Sequence, residues 1–126
     1  MEIERLNEIS SGIIQSAIEV HRAVGPGLLE SVYRSCMIYE LAEHGFSIEA
    51  EQLVSVRYKK LVLDGSYRID LLVEGEVIVE LKSIASILPV HSAQLLSYLR
   101  LTNKRLGLLI NFNVPVLVRG VKRIVN

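Results

Sequence analysis

The sequence predicts a mixed α/β fold, an α+β arrangement in which helices flank a central mixed sheet. Apolar residues recur at helical spacing over the first 24 residues, and short apolar strands fill the middle and the end of the chain. A helical segment lies between two of those strands, which favours a sheet with both parallel and antiparallel neighbours. We therefore expect one domain, residues 1–126, with the element order α-α-β-β-β-α-β-β.

Two helices begin the chain. In the first 24 residues, apolar side chains fall every three or four positions with polar residues between them. The run Gly25-Pro26-Gly27 ends this helix, because glycine and proline both break helical backbone. A second helix is predicted from about Leu28 to His44, where Gly45 provides a C-terminal cap.

The rest of the chain is predicted to be mainly strands, with one further helix. A strand is expected from Phe46 to Tyr58, and a hairpin follows the turn-rich passage that begins at Lys59-Lys60. After a loop that contains Pro89, the remaining elements are a helix from His91 to Thr102, a strand from Leu106 to Asn111, and a last strand from Val116 to Val118 extending toward Val125.

The hairpin between Tyr67 and Lys82 carries charges where a buried strand should have none. If Glu74-Gly75-Glu76 is the turn, Asp70 lies opposite Glu80. A slip of one residue would move the charges of a strand onto the core face, so this register is favoured. One face then has Arg68, Asp70, Leu72, Ile78, Glu80 and Lys82, and the other is apolar, with Ile69, Leu71, Val73, Val77, Val79 and Leu81.

This register gathers two carboxylates and a lysine on one patch of a rigid hairpin. Asp70 and Glu80 face each other across the strands, and Lys82 shares the face of Glu80 because it is two residues further along. That is the geometry of a divalent-metal site with an attached cation. The opposite interpretation is an ordinary cross-strand ion pair of Asp70 with Lys82 or Arg68 on a solvated surface.

Composition limits the classes of protein to which the chain can belong. It has 126 residues, half of them hydrophobic, with 14 basic and 14 acidic side chains and no formal net charge. No apolar run approaches the roughly 18–20 residues that span a bilayer, so no membrane is expected. The acidic start, Met1 to Arg5, lacks a signal peptide, and the single cysteine, Cys36, fits a reducing cytoplasm. No Cys/His cluster suggests zinc.

Three separated segments together resemble one family. Asp70 on one strand is followed by Glu80-Leu81-Lys82 on the next, which is similar to the PD-(D/E)XK nuclease superfamily. Gly27-Leu28-Leu29-Glu30-Ser31-Val32-Tyr33 resembles the signature of the GxxExxY family in that superfamily, and the stretch from His91 to Leu99 resembles the same family. The proline that often precedes the acid in the superfamily is Ile69 here. The resemblance implies a restriction-endonuclease-like core and a metal-dependent nuclease.

The resemblance, together with the chemistry of phosphodiester hydrolysis, gives each residue a role. Asp70 and Glu80 are the expected ligands of Mg²⁺ or Mn²⁺, and the Leu81 carbonyl is a third. Lys82 would orient or deprotonate the attacking water. Glu30 would lie beside the metal, directly or through water. Gln94 would reach the same cluster from the third helix, and the candidate substrate contacts are Tyr33, His91 and Tyr98.

Several of these residues also have plain structural interpretations. Glu30 is an acidic residue in the first turn of a helix, where the macrodipole favours it. Tyr33 and Tyr98 are typical of half-buried aromatic residues whose hydroxyls find partners. His91 is typical of a loop residue beside a helix start, and Cys36 of a small core residue.

Two functions stay open at this point. The first is a metal-dependent nuclease acting on DNA or RNA, and the second is a nuclease-fold binding or accessory module that acts only with a partner. The intact set of Asp70, Glu80 and Lys82 favours the nuclease. A chain of 14.1 kDa has little surface with which to bind a duplex, so we consider a homodimer as a hypothesis. The dimer contacts would be formed by the edge strands at the carboxyl end, which are rich in Val and Ile. Candidate phosphate contacts are Lys59-Lys60, Arg119, Lys122 and Arg123.

Overall fold

The computed structural model describes residues 3–126, so the predicted features at Met1 and Glu2 lie outside it. Five strands form one sheet in the order β1-β2-β3-β4-β5, with β3 and β4 parallel and the other neighbours antiparallel. The predicted fold class and order are confirmed. The elements are α1 (Ile3–Val24), α2 (Glu30–Glu43), β1 (Ile48–Tyr58), β2 (Leu61–Val73), β3 (Val77–Lys82), α3 (Pro89–Thr102), β4 (Leu106–Asn111) and β5 (Val121–Val125).

Helices cover both faces of the sheet. On one face α1 and α2 pack on a cluster that includes Leu71, Val79 and Ile110. On the other face α3 packs on a smaller cluster that includes Ile78 and Leu109. Strand β3 is buried from Val77 to Leu81 because it lies between these layers. Among residues 3–126, no helix combines the length and the apolar character needed to cross a bilayer.

The hairpin turn between β2 and β3 has the predicted register, with Val73 paired with Val77. Glu74 and Gly75 both adopt positive φ angles, of 56° and 65°, as the turns of tight hairpins require. This conformation is unfavourable for glutamate, but its carboxylate accepts hydrogen bonds from the Ser47 backbone and hydroxyl at 2.7 and 2.8 Å. The turn is therefore fixed to the segment that leads into β1.

The last strand begins later than predicted. Residues Leu117–Gly120 form a 3-10 turn, and β5 starts only at Val121. Gly120 lies against the backbone carbonyl of Asn111, where any side chain would collide. The chain thus crosses the end of β4 in close contact before it turns back to pair antiparallel with it.

The β3-α3-β4 connection brings the carboxyl ends of two parallel strands together. Lys82 at the end of β3 is paired in register with Asn111 at the end of β4. Helix α3 begins at Pro89, two residues before the predicted start, because proline is well suited to the first helical turn. In open sheets of this kind, ligands bind beyond the carboxyl ends of parallel strands.

Strands β1 and β2 extend beyond the body of the protein as a two-stranded ribbon. Residues 55–68, called the arm below, are exposed except for the half-buried Val56. The register of the arm pairs Val56 with Leu63 and Tyr58 with Leu61. Residues 69–73 of β2, in contrast, lie between β1 and β3 and are buried or half-buried.

Candidate active site

Asp70 and Glu80 meet where the β2–β3 hairpin opens. The last paired residues of the ladder are Leu71 and Val79. Beyond them, the Asp70 backbone N–H donates to Glu80 Oε2 at 2.8 Å, and the Leu81 N–H donates to Asp70 Oδ2 at 2.8 Å. Each carboxylate therefore takes the place of a backbone acceptor on the opposite strand, and the two side chains are adjacent, as the predicted register implies.

Glu51 of β1, which lies opposite Asp70, has an unusual backbone conformation. The β1–β2 register runs unshifted from Ala50↔Leu71 to Gln52↔Ile69, and Glu51, between them, has a φ of 53°. The register shift of this ladder lies further along, between Val54 and Val56.

The alternation of side chains along β2 reverses at Asp70. Leu71 packs on the α1–α2 side, whereas Ile69, only two residues away, packs on the α3 side with Leu72. The prediction that Ile69 shares the apolar face of Leu71 is therefore wrong. An ideal strand would have kept both on one face, but the backbone rotates at Asp70.

The Glu80 carboxyl group is in a low-dielectric environment. Its residue is 6% exposed, and burial, followed by the charge of Asp70, raises the pKa of Glu80 from 4.5 to about 7. The Asp70 N–H and the charge of Lys82 act in the opposite direction and lower this pKa, while Glu30 raises it. Three of the predicted site residues thus act electrostatically on the fourth.

Lys82 and Glu30 lie at the border of the carboxylate pair. Lys82 is half-buried at the end of β3 and makes no ion pair in the described part of the chain. Glu30 is the first residue of α2, and its carboxylate accepts a hydrogen bond from the Ser83 N–H at 3.3 Å. The Ser83 hydroxyl donates to the Leu28 carbonyl at 2.6 Å. The start of α2 is therefore fastened to the residue that follows Lys82.

Two charged residues that the sequence reasoning missed complete this network. Arg34 of α2 donates through Nε to Asp70 Oδ1 at 3.3 Å, and its Nη1 lies 3.6 Å from Glu51 Oε1. Glu51 also lies 3.6 Å from the guanidinium of Arg68. A signal for Arg34 existed, because it follows Glu30 by four residues and so shares its helix face. No comparable signal pointed to Glu51, because its partners come from other elements.

Asn111 is a third missed residue, and it fixes the loop after β3. It is 2% exposed, and its side chain accepts from the Ile84 N–H at 3.1 Å and donates to the Ile84 carbonyl at 2.9 Å. Because Lys82 pairs with Asn111 in the sheet, this clamp holds the loop that begins beside the lysine. A polar residue at the end of the otherwise apolar β4 was the available signal.

The predicted residues of α3 are placed unequally. Tyr98 is buried, and burial, followed by the charge of Glu80, raises its pKa to about 12. Gln94 is exposed one turn earlier on the same helix and lines a shallow surface cavity with Tyr98. His91 caps the helix start, where its Nδ1 accepts from the Leu88 N–H at 2.9 Å. Of the three, the structure brings Tyr98 within electrostatic reach of the carboxylate pair.

Tyr33 is a core residue and not a surface that a substrate could reach. It is fully buried and stacks on Phe112 with ring centroids 4.2 Å apart. Its hydroxyl donates to the Gly25 carbonyl at 2.5 Å and accepts from the Leu28 N–H at 3.1 Å. Both hydrogen-bonding functions of the hydroxyl are thus used to hold the α1–α2 connection, which corrects the prediction of a substrate contact.

The donor set at the hairpin fits a divalent metal ion with oxygen ligands. Asp70 and Glu80 provide two carboxylates, and the Leu81 carbonyl faces the same strand as its N–H, toward Asp70. Within residues 3–126, no three His, Cys, Asp or Glu side chains cluster as ligands. Magnesium keeps several waters, so two carboxylates suffice. Burial, and after it the charge of Asp70, raises the pKa of Glu80, and a bound cation would relieve the repulsion between the two acids.

Comparison with known proteins gives one finding. A model of the PD-(D/E)XK nuclease superfamily matches residues 7–124, nearly the whole chain. Neither the curated proteins nor the solved structures contain a match. The matched range includes the hairpin, the start of α2 and helix α3, which are the elements that form the site.

Proposed function

The chain belongs to the PD-(D/E)XK nuclease superfamily, and from this premise we propose that it is a divalent-metal-dependent nuclease that hydrolyses phosphodiester bonds in DNA or RNA. The observation that carries the proposal is the pair of hydrogen bonds at the open end of the hairpin, from the Asp70 N–H to the Glu80 carboxylate and from the Leu81 N–H to the Asp70 carboxylate, with Lys82 next on the strand face of Glu80. Within the superfamily, the segment from Gly27 to Tyr33 supports placement in the GxxExxY group.

The proposed ligands of Mg²⁺ or Mn²⁺ are Asp70, Glu80 and the Leu81 carbonyl, with Glu30 acting directly or through water. When bound, the cation supplies an acidic water and charge stabilisation at the phosphoryl oxygens. PD-(D/E)XK nucleases generally use divalent metals, which supports this assignment.

Lys82 has the proposed role of orienting the attacking water or taking its proton. It lies beside the buried Glu80, and in residues 3–126 its ammonium group is not committed to an ion pair. A lysine free of structural partners can move toward a phosphate oxygen or a water. Tyr98, Gln94 and His91 are proposed to contact the substrate from α3. Of these three, Tyr98 is the one whose pKa is affected by burial and by the charge of Glu80.

The partner we propose is nucleic acid, and the arm is the proposed phosphate contact. Arg57, Lys59 and Lys60 are exposed at its tip, and Lys59 lies 5.3 Å from the centre of the Tyr58 ring. Because the net charge of the chain is zero, binding must depend on such local groups. Arg123 is a weaker candidate since Asn7 and Ser10 already hold its guanidinium.

The decisive experiment is cleavage of single- and double-stranded DNA and RNA with Mg²⁺, Mn²⁺ or EDTA. We expect metal-dependent cleavage that falls on the order of 10³-fold in Asp70→Asn and Lys82→Ala, because each removes a group that acts on the reacting atoms. Glu8→Gln is the control: it also removes one carboxylate charge, but Glu8 is exposed on α1, outside both the hairpin and the arm. Its rate should equal that of the wild type.

Two results would contradict the nuclease proposal. Cleavage that persists in Asp70→Asn and Lys82→Ala would show a contaminant. Absence of cleavage by the wild type, together with binding of the same nucleic acids in EDTA, would favour the accessory module that needs a partner.

We also propose that the protein works as a homodimer in the cytoplasm. The single cysteine, Cys36, is unpaired, which suits a reducing compartment. An uncovered apolar surface lies on the arm, where Tyr58, Leu61 and Leu63 share one face and are 62%, 54% and 47% exposed. Strand β5, where edge pairing was predicted, exposes only Val125 among its large apolar residues.

Light scattering tests the homodimer with a variant on each face of the arm. Leu61→Glu should shift the protein from dimer to monomer, because it puts a charge in the proposed contact. Val62→Glu is the control, since Val62 is 42% exposed on the opposite face. A wild type that stays monomeric at high concentration would contradict the homodimer without affecting the nuclease proposal.

A further inference from the structure

Arg34 lies between two acidic side chains, and one of them is a proposed metal ligand. Its Nε donates to Asp70 Oδ1 at 3.3 Å, and its Nη1 lies 3.6 Å from Glu51 Oε1. The side chains of Arg34 and Asp70 are only 23% and 20% exposed, so water screens their attraction incompletely. Asp70 is therefore already neutralised by a cation from the protein itself.

Both oxygens of Asp70 are occupied. Oδ1 accepts from Arg34, and Oδ2 accepts from the Leu81 N–H at 2.8 Å. The Leu81 bond belongs to the hairpin and fixes the direction of the carboxylate. A metal ion that binds Asp70 through Oδ1 approaches the oxygen that the guanidinium already contacts, and the repulsion between the two cations opposes its binding.

Glu51 offers Arg34 a second position. Its carboxylate lies within ion-pair distance of both Arg34 and Arg68. The positive φ of Glu51 is unfavourable for a residue other than glycine, and Glu51 lies opposite Asp70 in the β1–β2 pairing. The carboxylates of Glu51 and Asp70 are therefore both within ion-pair distance of the same guanidinium.

We propose that Arg34 is a built-in counterion of the site, which pairs with Asp70 in the metal-free protein and passes to Glu51 when a divalent cation binds. The inference rests on the proposed metal-dependent function. Arg34 acts here as a positioning residue: it keeps Asp70 in place when no metal is bound, and it lowers the affinity for metal by competing.

Direct titration of Mn²⁺ binding by calorimetry tests this role without any measurement of cleavage. Arg34→Gln should bind Mn²⁺ about fivefold more tightly than the wild type, because the competing charge is gone. Arg34→Lys keeps the charge and should bind like the wild type. Arg68→Gln is the matched control: Arg68 lies at the same 3.6 Å from Glu51, but it makes no contact with Asp70.

The outcomes separate this inference from the proposed function. Unchanged or weaker Mn²⁺ binding in Arg34→Gln overturns the counterion role, as does a gain of equal size in Arg68→Gln. Binding that is unaffected in Asp70→Asn, or absent from the wild type, overturns the proposed metal site itself.

A second measurement covers the case in which Arg34→Gln does not fold. The Arg34 side-chain Nε–H signal of the wild-type protein can be followed by NMR during titration with Mg²⁺. We expect it to shift and to saturate with metal binding as the guanidinium leaves Asp70. A signal that is unchanged at saturating Mg²⁺ overturns the inference.

Discussion

Both halves of strand β2 are extended and pair with β1, but their surroundings differ. The first eight residues, Leu61 to Arg68, are exposed and pair only with β1, whereas the last five, Ile69 to Val73, lie between two strands and two helical layers. Asp64 in the first half bonds a serine at the surface. Asp70 in the second half bonds a backbone N–H of the next strand and an arginine of α2.

This difference shows what turns an aspartate on a strand into part of a site. Both halves contain aspartate among apolar residues, so residue type and strand propensity do not distinguish them. The buried half has β3 on its second edge, and β3 supplies the facing carboxylate. Chemistry is concentrated where the strand becomes internal to the sheet, because only there are charges held close together in a low dielectric.

The largest expected effect is on the free energy of unfolding, when a leucine in the buried half of β2 and one in the exposed half are each replaced. Leu71→Ala, at a fully buried position, should lower the free energy of unfolding by about 2–5 kcal/mol through lost burial and a cavity. Leu63→Ala, 47% exposed in the arm, should lower it by less than about 0.5 kcal/mol. Urea denaturation followed by circular dichroism measures both. Similar losses would show that the arm is covered in solution.

The next effect concerns the buried acid opposite Asp70. The pKa of Glu80 in the folded protein, about 7, is above the ordinary value of 4.5, so the folded state binds the proton more tightly. Its stabilising contribution is complete below pH 4.5 and is lost as pH rises to about 7, which amounts to about 3 kcal/mol. In metal-free protein, Glu80→Gln should remove this pH-dependent loss of stability. Urea denaturation of the wild type and of Glu80→Gln between pH 4.5 and about 7 measures it. A difference in free energy of unfolding that stayed constant over this range would contradict the prediction.

A smaller effect is expected from the cations at the arm tip. Replacing Arg57, Lys59 and Lys60 with glutamine should weaken nucleic-acid binding roughly tenfold and reduce its salt dependence, by about 0.9 in log–log slope per phosphate contact. Fluorescence anisotropy in EDTA measures binding without cleavage. Arg22→Gln, an exposed cation on α1, is the control. If the triple variant retained the wild-type slope, the arm would not be a phosphate contact.

The smallest effect lies at the junction of the two halves. The rings of Tyr67 in the arm and Tyr98 on α3 lie 5.6 Å apart at 50°. A double-mutant cycle compares phenylalanine, which keeps the ring, with leucine, which removes it, at each of the two positions. It should give a coupling free energy of about 0.5–1 kcal/mol between the two rings. A coupling near zero would show that the arm is anchored by its strand pairing alone.

Short-range rules were enough to predict the elements and the central hairpin. Helix α1 follows from apolar spacing, and the Val73↔Val77 register follows from a glycine turn and a two-residue alternation. The adjacency of Asp70 and Glu80 followed from that register. These features depend on neighbours within about ten residues, so they could be predicted from the sequence alone.

Packing between distant segments decided the rest. Arg34 pairs with an aspartate 36 residues away, and Tyr33 is buried because Phe112 comes from the other end of the chain. The reversal at Ile69 depends on which helix covers each side of the sheet. These contacts depend on tertiary packing. The two side chains of each contact belong to different elements, and they come within reach of each other only when the sheet and the helices have packed.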